Sequence, residues 1–452
     1  MGFDLSNYKF SKYNHKIFLN KDIYLYNAFT GGFGKVDEKN KELAIKYDFT
    51  GSVIEADLVQ DNKFLNSLLE GGFLVYKDID EYNMLLAASD ISRYNNQSMS
   101  LTLVPTLSCN FRCVYCFEKD KCYPNQHMTP EVIDATVKFI DDSLKNDSNL
   151  SITWFGGEPL VRFDILKELQ LKINELSKKK NLNVYSSIIT NGYLLNKKTS
   201  DELVELGITF VQVTIDGDKH THDERRMLHD GNGTYDRIIQ NLLESNDKLD
   251  IALRVNINKD NSDCMDSFLE SLKKTGISDK KNIKTYFSVV RDYDTSKSCL
   301  NETCYTTKEY AQEEMKLYRL AQEKSIPISI SINPQVSVCA AVSPNSYIIE
   351  PDGSLQKCWN LVGDPDKCVG NILKNKSERY LSNQIKWYSW RINEKEKCKN
   401  CSILPLCMGG CPYFDVYNHE IYEKSEYSCN SLKYNLDDIL KLIAYRYLNE
   451  AK

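Results

Sequence analysis

The chain has 452 residues, 42% of them hydrophobic and 27% charged, with a net charge of -6 and a pI near 5.7. That length calls for a large central domain with flanking modules, and the balance is that of a protein able to bury a sizeable core. It excludes general attraction to nucleic acid or an anionic membrane. No stretch approaches the ~18 consecutive apolar residues of a membrane span, and the N-terminus lacks the basic and apolar regions of a signal peptide. A cytoplasmic protein with neither nucleic acid nor membrane as partner is expected.

In chain order, Ile23 to Val36 reads as a β-hairpin, with Gly31-Gly32 supplying the positive φ of a tight turn. A helical pattern follows near Lys63–Leu69, then the apolar run Phe73–Tyr76. The mixture predicts a small α+β, winged-helix-like module over residues 1–95.

From Ser100 the pattern changes to regular alternation of strand and helix. Leu101–Thr106 is a strand leading into a cysteine loop, and Thr129-Pro130 opens a helix, with Thr as N-cap and Pro at the first helical position. Strands at Leu150–Phe155, Val184–Thr190, Phe210–Ile215, Ile251–Ile257 and Thr285–Val290 alternate with helices near Asp164–Leu176, Ser200–Leu206, Tyr235–Leu243, Met265–Lys274 and Lys308–Ala321. Six strand–helix units predict an α/β fold with a parallel sheet and right-handed crossovers, spanning residues 96–325. The chemistry then belongs to loops at the C-terminal ends of the strands. Periodicity does not separate a barrel from an open sheet.

Fifteen cysteines without an export signal point to metal ligation rather than disulfides. Cys109, Cys113 and Cys116 follow the first core strand as C-x3-C-x2-C. Four thiolates saturate a [4Fe–4S] cluster, whereas three leave one iron open to a second molecule. At the next strand end, Trp154-Phe-Gly-Gly-Glu-Pro159 offers two glycines for close backbone approach and, in Glu158, a carboxylate able to accept from an ammonium group. Ser187-Ile-Ile-Thr-Asn-Gly192 ends the third strand, and its Thr-Asn-Gly is also an ordinary turn. Val213-Thr-Ile-Asp-Gly-Asp218 and His222-Asp-Glu-Arg-Arg226 follow the fourth, with Arg225 expected to face solvent. Arg254 and Asn256 share one face of the fifth strand, inward or outward. The tyrosines, 28 in all, are read as packing residues and not as a radical relay.

The cysteine loop, with Tyr115 before its third cysteine, resembles the signature of the radical S-adenosylmethionine (radical SAM) enzymes. The resemblance implies a partial (β/α)6 barrel and a cluster on Cys109, Cys113 and Cys116. The open iron chelates SAM, which is cleaved to a 5′-deoxyadenosyl radical. Residue by residue, it implies a SAM site made by Tyr115, Gly156, Gly157, Glu158, Ser187, Thr190, Asn191, Asp216, Arg226 and Asn256. Glu158 would meet the SAM ammonium, and Arg226 the carboxylate as a planar fork.

Cys339 and Cys358, then Cys398, Cys401, Cys407, Cys411 and Cys429, reproduce the seven-cysteine pattern of the SPASM extension, placed over residues 326–452. That resemblance implies two auxiliary [4Fe–4S] clusters, three in all. One is fully held by Cys398, Cys401, Cys407 and Cys429, and the other is held by Cys339, Cys358 and Cys411, one ligand short. Cys122, Cys264, Cys299, Cys304 and Cys368 remain unassigned.

Such enzymes modify peptides or protein side chains. A maturase that abstracts a hydrogen atom and forms a thioether in a ribosomally made peptide is therefore expected. Its leader-bearing precursor peptide would sit on the N-terminal module, which looks like a peptide-recognition domain and is otherwise a cap packed on the barrel, and flavodoxin or ferredoxin would supply electrons. A sulfatase-maturating enzyme, oxidising cysteine or serine to formylglycine, is the rival. Its subfamily carries an Asp directly after the second SPASM cysteine, where this chain has Trp359, which accepts no proton. A third reading is a zinc-stabilised binding protein, since four cysteines can also hold zinc.

Overall fold

The computed structural model describes residues 7–52, 54, 62–116, 127–291, 293, 303–337, 339–417 and 429–450, so Cys122 and Cys299 lie outside the described residues. The N-terminal part contains β1 (Tyr8–Phe10), β2 (Asn14–Leu19), β3 (Asp22–Asn27), β4 (Phe33–Lys35) and β5 (Leu74–Tyr76). β2, β3 and β4 form an antiparallel sheet, and β1 pairs with β5. Residues 23–36 thus make the predicted hairpin, with one correction. Only Gly31 takes positive φ, at 77°, whereas a Cβ on Gly32 would stand 2.0 Å from the carbonyl oxygen of Gly71.

The core strands are β6 (Ser98–Leu103), β7 (Asn149–Trp154), β8 (Asn183–Thr190), β9 (Ile208–Thr214), β10 (Asp250–Ile257) and β11 (Ile283–Val289). They pair in parallel in sequence order, from β6 at one side to β11 at the other. The ends β6 and β11 do not pair with each other, so the six strands are not closed into a full barrel, and the parallel α/β architecture is the predicted one. Burial follows from pattern: Ile251, Leu253, Val255 and Ile257 of β10 face the covering helices, while Arg254 and Asn256 take the opposite face. The helix Pro130–Ser143 starts where Thr129 accepts from the backbone N–H of Val132, and it buries Val132, Ile133, Thr136 and Ile140. A helix not expected from the sequence, Lys219–Arg225, follows β9, capped by Asp218.

The sheet continues past residue 326. β12 (Ser346–Ile349) pairs in parallel with β6, and β13 (Ser354–Gln356) and β14 (Gly370–Asn371) add antiparallel strands, nine in one sheet. The cysteine-rich region therefore shares its first strands with the core. No helix among the described residues is long and apolar enough to cross a membrane.

Candidate active site

The chain leaves β6 into the cysteine loop, which is stitched to its neighbours on two sides. On one side Gly157 and Glu158 donate their backbone N–H groups to the carbonyls of Thr106 (3.2 Å) and Ser108 (2.9 Å). The glycines are required there: Gly156 has φ 137°, and a Cβ would stand 2.3 Å from the Thr106 carbonyl oxygen. On Gly157 a Cβ would stand 2.5 Å from those of Leu107 and Ser108. The close approach is thus between this turn and the cysteine loop. On the other side Arg112 donates to the carbonyl of Met227 (2.8 Å) and Val114 to that of Arg225 (3.0 Å). The thiols of Cys113 and Cys116 lie within electrostatic reach of Cys109. Burial, then the Glu158 carboxylate, pushes the Cys109 thiol well up, and burial raises Cys113 against the pull of Arg226. Neutral in this state, such thiols lose their protons on binding metal.

Glu158 is buried and joins three segments. Oε1 accepts from the Leu160 N–H (3.1 Å) and the Thr190 hydroxyl (2.7 Å), and Oε2 accepts from the Asn191 N–H (2.7 Å). Burial raises its pKa, opposed by these bonds. Asn191 Nδ2 donates to Asn110 Oδ1 (2.8 Å), which ties the Thr-Asn-Gly turn to the cysteine loop. Ser187 contacts Thr153 Oγ1 (3.1 Å) and donates to the Ile152 carbonyl (3.1 Å).

Tyr115, Asp216, Arg226 and Asn256 meet at one hydroxyl. The Tyr115 O–H donates to Asp216 Oδ2 and accepts from Arg226 Nη1 (2.6 Å) and Asn256 Nδ2 (3.2 Å). Asn256 also accepts from Arg254 Nε (2.7 Å), so Arg254 and Asn256 point inward. Burial works against the charge of Arg226, but Tyr115, Cys113 and Asp216 outweigh it and hold the guanidinium protonated.

Sequence reasoning missed four participants. Arg225 is 6% exposed, not solvent-facing, because the tether of Val114 to its carbonyl draws it under the loop, and its guanidinium lies 5.1 Å from the Tyr115 ring centre. His222 is buried and neutral: Nδ1 accepts from the Asp216 N–H (3.2 Å) and Nε2 donates to Thr234 Oγ1 (3.0 Å), which donates to the Arg226 carbonyl (2.7 Å). Asn110 sits inside the cysteine spacing, where nothing local announces it. Phe155 stacks at 5.2 Å on Trp359, whose Nε1 donates to Thr102 Oγ1 (3.0 Å). Trp359 directly follows Cys358, and Phe155 directly precedes Gly156, so this pair bridges the two cysteine fields.

The second field divides into two sets. The thiols of Cys339, Cys358 and Cys411 act electrostatically on one another, and those of Cys398, Cys401, Cys407 and Cys429 form the other set. Cys304 and Cys368 are buried.

The pattern of the Radical SAM superfamily matches residues 103–272, and the chain carries a radical SAM domain there. Such a domain implies a [4Fe–4S] cluster and S-adenosylmethionine. The chain is 28% identical to the cysteine-type anaerobic sulfatase-maturating enzyme of Clostridium novyi (strain NT), over 77% of this chain and 99% of that protein. It is 25% identical to the radical SAM cyclopropyl synthase TigE of Paramaledivibacter caminithermalis, over 86% of this chain and 85% of that protein. Its fold is similar to that of anSMEcpe with bound AdoMet and Kp18Cys peptide, with a TM-score of 0.59 at 19% identity over 77% of this chain and 99% of that one. It is also similar to Streptococcus suis SuiB, with a TM-score of 0.50 at 17% identity over 93% and 98%.

Proposed function

We propose that this chain is a radical SAM maturase of a ribosomally made peptide, taking a hydrogen atom from the peptide and joining a cysteine sulfur to the resulting carbon as a thioether, the thiol losing its proton and the remaining electron passing to an auxiliary iron–sulfur cluster. The carrying observation is that the three-thiol loop is ringed by buried donors without partners among the described residues: Asn110 Nδ2, Arg225 Nε and Nη2, and Arg226 Nε. Buried N–H groups are ordinarily paired, so these await a ligand rich in acceptors, which the carboxylate and ribose of SAM would be.

In this reading Cys109, Cys113 and Cys116 hold the cluster. Bound there, SAM supplies on reduction a carbon radical able to abstract hydrogen. Arg226 takes the SAM carboxylate, oriented by Tyr115, Asp216 and Asn256. Glu158, with Thr190 and Asn191, fixes the turn against the loop and keeps lone-pair capacity on Oε2 for the SAM ammonium. Gly156 and Gly157 let that turn close on the loop, and Ser187 lines the wall beside it. Cys398, Cys401, Cys407 and Cys429 would hold one auxiliary cluster, and Cys339, Cys358 and Cys411 would hold another, one protein ligand short, which would supply a place for a substrate thiolate. Residues 1–95 would bind the leader, with a flavodoxin or ferredoxin as donor. A peptide substrate agrees with the peptide bound to anSMEcpe.

Formylglycine formation is the second reading, favoured by the sulfatase-maturating relatives. Against it stands Trp359, an indole where that chemistry needs a proton acceptor.

Replacing Cys109, Cys113 and Cys116 together by Ala should remove one cluster's iron, keep the auxiliary iron and abolish 5′-deoxyadenosine formation under strong reductant. Persistence of that product would refute the site. A short cysteine-rich peptide converted with loss of two hydrogens supports the thioether, and an aldehyde product would support the rival.

A further inference from the structure

The N-terminal sheet lies directly on the loop that carries Cys398 and Cys401. Lys12 Nζ donates to the carbonyl of Lys399 (3.4 Å), and His15 Nε2 stands 3.3 Å from that of Ser402. These contacts flank Cys401 on both sides in the chain. Between Lys12 and His15 lies Tyr13, with 0% of its surface exposed. Its ring packs in the same core against which Cys398, Cys401 and Cys407 rest, and stacks at 5.9 Å on Phe29. Its hydroxyl has no hydrogen-bond partner among the described residues. The carboxylate of Glu81 is occupied: Oε1 accepts from the Ser11 hydroxyl (2.5 Å) and Oε2 from the Lys12 N–H (2.9 Å). Burial first, then Glu81, Tyr82 and the Cys401 thiol, raises the phenol, so the hydroxyl keeps its proton, and Lys12, whose Nζ reaches the Lys399 carbonyl, sits 5.0 Å from the centre of the Tyr13 ring.

A buried O–H with no acceptor is costly, and a fold that keeps one has an acceptor for it. We propose that Tyr13 donates a hydrogen bond to a sulfur of the cluster on Cys398, Cys401, Cys407 and Cys429, so that the N-terminal module completes the surroundings of an iron–sulfur centre in the C-terminal region. This rests on the reading that those four cysteines hold a cluster. Tyr13 is a positioning residue: it tunes the centre and touches no substrate. Hydrogen bonds to cluster sulfur favour the reduced, more negative state and so raise the reduction potential.

The test uses the anaerobically reconstituted full chain bearing Cys109→Ala, Cys113→Ala and Cys116→Ala, in which only auxiliary signals remain. Iron is counted first, and the cluster's EPR signal is assigned by its loss in Cys398→Ala. A parent one cluster short, with no signal to lose, would refute the underlying assignment. With the cluster present, Tyr13→Phe should keep the iron and shift this signal's midpoint to more negative potential, leaving the other auxiliary signal in place. Tyr24→Phe is the control, because the Tyr24 hydroxyl, in the adjoining sheet, is likewise buried and unpartnered among the described residues but no cysteine acts on it. Iron lost from this cluster alone in Tyr13→Phe, with Tyr24→Phe intact, also supports the bond, since the substitution preserves the ring. An unchanged midpoint and line shape in an iron-replete Tyr13→Phe variant would overturn it.

Discussion

Glu158 shows how one buried carboxylate can hold two turns together. Its carboxylate bonds the N–H groups of Leu160 and Asn191 and the Thr190 hydroxyl, so the turn after β7 and the turn after β8 move as one piece. Thr190→Val should cost about 1.5–3 kcal/mol by removing a bond to a charged group, measured by urea unfolding of the iron-free chain, and should weaken SAM binding. Gly157→Ala should act differently, because its Cβ would meet the carbonyls of Leu107 and Ser108 and push the cysteine loop away. The expected result is loss of one cluster's iron with auxiliary iron retained. His222 gives a pH dependence. Burial, then Arg226 and Arg225, holds its pKa well below 6.5, so the unfolded chain takes up the proton first as pH falls. Stability from this residue is therefore full above pH 6.5 and is lost below it. His222→Asn should lower the melting temperature at pH 7.5 and flatten its decline between pH 6.5 and 5.

At the scale of elements, much was legible. The alternation from Ser100 to Ala321 named six strands and their helices, because parallel strands buried on both faces and amphipathic helices write their periods into the sequence. The Gly-Gly-Glu turn was legible because close packing demands particular residues at particular places. The burial of Arg225 was not, since charge alone predicts solvent and only the tether of Val114 to its carbonyl draws it in. Nor was the purpose of Gly156 and Gly157, whose neighbours lie some fifty residues earlier on another strand's loop. The pair of Phe155 and Trp359 was equally hidden, as it joins the ends of β7 and β13. Trp359 is 41% exposed yet fixed by its bond to Thr102 and its stack on Phe155, and under the proposed function it would contact the peptide. Trp359→Ala should raise the peptide KM by about three- to ten-fold, the ~0.5–1.5 kcal/mol of an aromatic contact, while Trp359→Phe stays near wild type.

Across the whole molecule, Arg93 fastens the N-terminal part to the cysteine-rich region. Its buried guanidinium donates to the carbonyls of Val342, Trp387, Tyr388 and Trp390. Arg93→Met would take this donor from the carbonyls of Val342 and Trp387, at about 1–3 kcal/mol each, while those of Tyr388 and Trp390 would keep Arg391 Nη1. Arg93→Lys should fail to rescue, because an ammonium cannot reproduce the planar fork. Urea midpoints of the two variants check this.

The pairing of β12 with β6 governs how the chain is made as well as how it stands. β6 is synthesised near residue 100 and its outer partner only after residue 345. At ~5–20 residues per second, the emerging core carries an uncovered strand edge for some tens of seconds, open to pairing with any other extended chain. Ribosome-bound chains halted before Ser346 should therefore bind chaperones and aggregate when released, whereas chains halted beyond Asn371 should not. The late hairpin closes the template that the early strand leaves exposed.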